Sequence, residues 1–306
     1  MKRRHFILKS AAAGAAIGTW WTMGPLYGKG YHAALVSDFD MAAVLGGEPE
    51  LMFDRGMEAM GGMSRYVKKG QTVVVKPNIG WDKTPELAAN THPGLVKRVV
   101  EHCVGAGAKK VYVFDNTCDK WDKCYANSGI EKAVKDGGGS MVPGNAESYY
   151  QQVTVSQGKS LKEAKVHELI LQSDVFINIP VLKSHGSTKL TIAMKNLMGI
   201  VWDRGWWHRN ELSQCIADFT AWRKPDLNIV DAYRVMMANG PKGVSVEDVK
   251  LMKSLMISSD IVAVDVAASK MFGVDPDEVR YIPLAAAMGL GEADLSKLNI
   301  SRIKVA

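Results

Sequence analysis

Cysteine is scarce and unclustered in this chain: four residues in 306, Cys103, Cys118, Cys124 and Cys215, at spacings that match no zinc or iron–sulfur ligand pattern. The chain therefore carries no iron–sulfur cluster motif of its own, no metal-ligand set is expected, and the identity of any cofactor stays open. Neither the P-loop pattern nor the dinucleotide glycine fingerprint occurs, so nucleotide binding by those routes is not supported. Internal repeats and long low-complexity segments are also missing. Positive charge is not spread through the body. The formal net charge is +6, but Lys2, Arg3, Arg4, Lys9 and Lys29 stand within the first 30 residues without a single acid. The rest is close to neutral and lacks a basic stripe, which argues against a nucleic-acid partner.

What is there is enough apolar material for a large core, 47% of the residues. Short runs rich in β-branched residues alternate with segments of helical period. The runs predict strands at 33–36, 72–75, 110–114, 174–179, 226–230 and 254–257. Helical patterns lie near 50–61, 93–105, 129–135, 188–201, 210–222, 260–272 and 278–288. Brief apolar strands between longer helices predict an α/β fold with a mostly parallel sheet and helices on both faces. The Gly-rich break at 137–144 and the polar stretch after it predict a small β insertion near 137–165.

The N-terminal "MKRRHFILKSAAAGAAIGTWW" has a basic start and an apolar run too short for a comfortable membrane span. It resembles a twin-arginine (Tat) export signal, with Arg3 and Arg4 followed by Phe6 and Ile7. Residues 1–30 are thus read as a signal segment and 31–306 as a single α/β domain. The resemblance implies engagement of the Tat translocase and a periplasmic or otherwise exported location. The small-residue cleavage signature is missing, so an uncleaved membrane anchor stays open. In an oxidising compartment Cys118 and Cys124 could close a small disulfide loop. Cys103 and Cys215 fall inside helical apolar patterns and read as buried.

Chemistry-bearing residues collect just after the predicted strands: Lys76 and Asn78 after the first block, Asp115 and Asn116 after the second, Lys183, Ser184 and His185 after the third, Asp231 after the fourth. Ligand crevices of open α/β sheets lie beyond the carboxyl ends of the strands. Asp and Asn at such positions also serve as turn and cap residues, but lysines have no capping role at a helix start. If a helix begins near Ser187 or Thr188, then Lys183, Ser184 and His185 enter its N-terminus, where a small anionic ligand, a carboxylate or a phosphate, would be favoured.

Four blocks, "VVVKPNIGW", "INIPVLKSHGSTKLTIAMKNLMGIV", "LNIVDAYRVMMANGPKG" and "MISSDIVAVDVAASKMFGVDP", resemble successive blocks of the DUF362 family over about residues 71–300. Many members append a ferredoxin-like module with clustered cysteines, which this chain does not have; electron transfer would require a cluster borrowed from a redox partner protein. The residues in these blocks supply the candidate ligand-binding set Lys76, Asn78, Lys183, Ser184, Asn196, Asn239 and Gly240, and the candidate catalytic set His185, Lys195 and Asp231. Two readings stay open: an exported protein that binds and transforms a small anion, and a non-catalytic accessory component of a membrane-linked redox system. In the second, the segment with Trp202, Trp206 and Trp207 would be the docking surface, although the same aromatics could form a lid over the crevice or pack a loop onto the body. Asp260 reads as the N-cap of the helix that follows it.

Overall fold

Val73, Val74 and Val75 are each fully buried, as a strand covered on both faces requires. The computed structural model describes residues 38–305, so the segment read as an export signal and the strand expected at 33–36 both lie outside the described residues. The chain order opens with β1 (Met41–Leu45), α1 (Pro49–Ala59), β2 (Thr72–Pro77), α2 (Pro93–Gly105) and β3 (Lys110–Val113). Next come α3 (Trp121–Asn127), α4 (Ile130–Asp136) and the short β4 (Ser140–Met141). An antiparallel pair, β5 (Tyr150–Thr154) and β6 (Glu163–His167), forms a separate two-stranded sheet where the β insertion was expected. After α5 (Glu168–Gln172) and β7 (Val175–Ile179), the chain makes β8 (Val181–His185) and β9 (Lys189–Thr191), then α6 (Ala193–Asn196) and one further 3-10 turn to Ile200. It continues through α7 (Arg204–Arg209), α8 (Leu212–Trp222), β10 (Leu227–Met236), β11 (Val249–Ser258), α9 (Ile261–Phe272), α10 (Tyr281–Ala287) and β12 (Ile300–Lys304).

The main sheet has the order β12-β1-β11-β10-β7-β2-β3-β4, with β8 beside β10 and β9 beside β8. Most neighbours run parallel, including β2 with β3 and β7, and β10 with β7 and β8. β11 is antiparallel to β1 and β10, and β9 to β8. The result is a mixed α/β architecture with a mostly parallel sheet between two helical layers. Side chains alternate across it: Val73 and Val75 join Phe53 of α1 and Val99 of α2 in one core, while Val74 joins Phe219 of α8 and Val264 of α9 in the other. Among the described residues no helix is long and apolar enough to cross a membrane.

Three local expectations need correction. The helix expected over 188–201 starts only at Ala193, because residues 181–191 form the β8–β9 hairpin with Lys183 opposite Thr191 and His185 opposite Lys189. Leu190 and Thr191 fit a pleated pairing better than a first helical turn, and the free amides of Ala193 and Met194 find their acceptor in Asp265 of α9, at 2.7 and 3.1 Å. The helix start is thus fixed from 72 residues away. Second, the strand expected to end at 230 continues to Met236 as β10, and Asp231 lies within it, buried, accepting from the amides of His92 at 2.7 Å and Tyr233 at 3.0 Å. Third, Cys118 and Cys124 are both free, one exposed and the other buried, so no loop-closing disulfide joins them. Cys103 and Cys215 are buried, and Asp260 caps α9 by accepting from Val262 and Ala263.

Candidate anion site

A cavity of about 350 Å³ opens at the carboxyl ends of β2, β3 and β8. Its cationic lining comes from four places in the chain: Lys76 at the end of β2, Lys183 on β8, Lys195 on α6 and Arg204 at the start of α7. Lys76 and Lys183 are 1% exposed and Lys195 is 8% exposed, so none of the three ammonium groups is solvated as a surface lysine would be. The lining contains a single carboxylate, Asp115, which follows β3 and stands 3.0 Å from Lys76 Nζ. Its other oxygen accepts from the amide of Ile79 at 2.7 Å.

Amide side chains hold this arrangement in register. Lys76 Nζ and Asn78 Nδ2 both donate to Asn196 Oδ1 at 2.9 Å. Asn196 in turn donates to Asn178 of β7 at 2.8 Å, and Asn178 to Asn228 of β10 at 3.0 Å. This buried amide chain crosses strands β7 and β10 and ties α6 to the sheet; leaving any member unpaired would cost about 1–3 kcal/mol. Lys183 Nζ donates to Asn78 Oδ1 at 3.2 Å and to the carbonyl of Ala89. Arg204 is anchored by the carbonyls of Asn116 and Thr117 and lies 3.3 Å from Cys118 Sγ. Most of these acceptors are neutral, so the cations are positioned without being neutralised.

Burial sets the proton affinities. It pushes Lys183 down to about 7, with the charges of Lys195 and Lys76 adding to the shift. It pushes Lys195 down to about 8, with Arg204 contributing. Lys76 is lowered by burial as well, against the opposing pull of Asp115. His185 is driven to about 2 by burial and then by Lys195 and Lys183. It is therefore a neutral imidazole; its Nδ1 accepts from the Ser187 amide at 3.1 Å, which leaves Nε2 as the N–H donor. His208 stacks near it, with ring centroids 6.4 Å apart.

Of the ten residues singled out in the sequence, the cavity collects Lys76, Asn78, Lys183, His185, Lys195, Asn196 and Gly240. Ser184 stands just behind, its Oγ accepting from the Gly240 amide at 3.0 Å. Asn239 and Asp231 do not line the cavity; Asn239 is exposed and bonded to Asp248, and Asp231 holds the start of α2. The helix N-terminus offered to a ligand is occupied by the protein's own Asp265, which sits over the first amides of α6. The anion-favouring element is instead the group of cations on four separate elements. Trp207 is 1% exposed and packs in the core, leaving Trp206 as the exposed member of the tryptophan pair.

Sequence reasoning left out of its site set Asp115, Thr191, Arg204, His208 and Cys118, all in the lining. Asp115 was detectable as a polar residue directly after a strand; the others carried no local signal, since only the hairpin and α7 bring them here. Thr191 is notable because its Oγ1 is buried and has no hydrogen-bond partner among the described residues. Gly199 is required by close approach: a Cβ there would lie 1.9 Å from Asp115 Oδ1 and 2.5 Å from Lys76 Nζ. Among the described residues no group of three or more His, Cys, Asp or Glu side chains is arranged to hold a metal ion.

Fold and cavity together define an α/β protein of the open-sheet kind with a polar crevice at the strand carboxyl ends. Residues 73–270 match the DUF362 family, described as a domain of unknown function, and the chain belongs to that family. It is 26% identical over 242 residues to the thylakoid-associated protein sll1697 of Synechocystis sp., covering 76% of this chain and 73% of that one. Among solved structures it is similar to the lactate racemase apoprotein from Thermoanaerobacterium thermosaccharolyticum, with a TM-score of 0.50 and 10% identity. That match covers 77% of this chain but only 58% of the racemase chain, and it is a likeness of fold alone.

Proposed function

We propose that the protein binds a small organic anion, a carboxylate or a phosphate, in the cavity between β2, β3 and β8, and transforms it by amine-based chemistry. One observation carries the reading: three buried lysines and an arginine share a cavity with a single carboxylate. Burying uncompensated cations is costly, and a ligand anion would offset that cost. Lys183 and Lys195, lowered towards neutrality by burial, can each exist as a free amine near physiological pH and so serve as a base. His185 acts in this reading as a neutral hydrogen-bond donor and not as a proton carrier. The racemase whose fold is similar acts on lactate, itself a small carboxylate, which is in keeping with the proposal.

The experiment is isothermal titration with phosphate, acetate and lactate at neutral pH, on wild type and on a Lys76→Ala, Lys183→Ala protein. Binding by wild type and its loss in the double variant are expected; unchanged binding in the variant would reject the cavity as the site.

Export by the twin-arginine route belongs to the same proposal and rests on residues 1–30. Cell fractionation of wild type and an Arg3→Lys, Arg4→Lys variant tests it, with the variant expected to stay inside. A second reading, an accessory protein of a membrane-linked redox system, draws on the exposed Trp206 and on the thylakoid association of the cyanobacterial relative. Co-purification with a partner, lost on Trp206→Ala, would favour it.

A further inference from the structure

Among the three buried lysines of the cavity, the amines differ in what holds them. Lys76 is tied to Asp115 and Asn196, and Lys183 to Asn78 and the Ala89 carbonyl. Lys195 has no oxygen acceptor among the described residues. Its Nζ meets only the thioether sulfur of Met198 at 3.4 Å, a weak acceptor. Burial lowers its proton affinity, as it does that of Lys183, but an amine that no oxygen acceptor holds is free to turn into the cavity and offer its lone pair.

The same cavity supplies what a carbonyl substrate would need beside that amine. Arg204, a guanidinium that stays charged, is a cation for a carboxylate. The buried, unpartnered Thr191 Oγ1 is a hydroxyl available to a carbonyl oxygen. Resting on the anion reading above, and naming its substrate class, we propose that Lys195 forms an imine with the keto carbon of a 2-oxo carboxylic acid.

In this step the Lys195 nitrogen attacks the keto carbon, a C–N bond forms, and the carbonyl π electrons pass to oxygen, giving a carbinolamine. Loss of that oxygen with the two amine hydrogens, as water, leaves C=N; no oxidant or reductant takes part. Burial favours the step twice over, by raising the unprotonated fraction of the amine and by limiting the water that would reverse it. The charge of Arg204 adds to the first effect, since it opposes protonation of Lys195 and holds its proton affinity down at about 8.

The test treats the full-length protein with pyruvate and sodium borohydride, which reduces an imine to a stable secondary amine, and maps the modified lysine by peptide mass spectrometry. Titration of wild type with lactate, which has the same carboxylate but no keto group, is run in parallel. The expected result is one carboxyethyl group on Lys195, its formation slowed by excess lactate, and none on a Lys195→Arg protein. Lactate binding without an adduct, or with the adduct on another lysine, overturns the imine and leaves the anion site standing. Failure of wild type to bind lactate, acetate or phosphate, with no adduct formed, overturns both. Because the mapping is done on wild type, poor folding of the variant would not obscure the outcome.

Discussion

Lys76 Nζ and Asp115 Oδ1 stand 3.0 Å apart at the carboxyl ends of neighbouring parallel strands, each almost wholly buried. Asp115 is the one carboxylate in a cavity lined by three lysines and an arginine. Asp115→Ala should therefore destabilise the protein by about 3–5 kcal/mol, as removal of one member of a buried pair does. Urea unfolding measures this, and added phosphate should restore part of the loss. A loss no larger than that of an ordinary surface substitution would mean that the pair is not desolvated.

The backbone of Gly199 passes against that pair, and Gly199→Ala puts a methyl 1.9 Å from the carboxylate oxygen. Pushing Asp115 and Lys76 apart should cost about 1–3 kcal/mol in stability. Anion affinity should fall by about tenfold or more, equivalent to ~1.4 kcal/mol. Calorimetry on the folded variant separates the two effects.

The lowered lysines make a pH signature. Lys183 at about 7 and Lys195 at about 8 return to the ordinary lysine range when the chain unfolds. Between those values and that range the unfolded chain binds more protons than the folded one, so stability rises with pH, by up to ~1.4 kcal/mol per pH unit for each lysine. The urea midpoint of the ligand-free protein should climb from about pH 7 to about pH 9.5, and Lys183→Met with Lys195→Met should flatten the climb. An anion raises both proton affinities, so its binding near pH 8 should take up protons, read as a dependence of the titration heat on buffer ionisation enthalpy.

Asp231 serves as an acceptor for the start of α2 and for the Tyr233 amide. Asp231→Ala leaves those amides unsatisfied and should cost about 1–3 kcal/mol of stability. Anion affinity measured on the folded protein should be unchanged. A selective loss of binding would return Asp231 to the site.

Cys118 is the exposed thiol among the four cysteines and lines the cavity. A thiol reagent should label Cys118 alone in the native protein and all four cysteines after unfolding, since none is paired among the described residues. Lactate or phosphate should slow the native reaction. Equal rates with and without anion would separate Cys118 from the occupied part of the cavity.

Interior elements with a strong period are legible in the chain of residues alone. The α2 pattern marks a helix whose bounds agree with Pro93–Gly105, and the TVVV run marks an interior strand, because periodicity reports burial directly. β1, with Ala42 and Ala43 in a five-residue strand, and β12 carry no such mark. The pairing of β12 with β1, and of β1 with β11, makes them strands.

The sequence by itself determined the α/β class and the placing of Lys76 and Lys183 near the sheet's carboxyl edge, since β-branched runs and the lysines that follow them are local features. Tertiary structure alone decided the rest. Asp265, from α9, fixes where α6 begins and so how Lys195 enters the cavity. The β8–β9 hairpin brings in Thr191, and α7 brings in Arg204. Asp231, which reads as a strand-end candidate, becomes a support for α2 because β10 runs on past it. Hydrogen-bond acceptors supplied from far along the chain, and the desolvation that turns lysines towards neutral amines, leave no trace in any short stretch of residues.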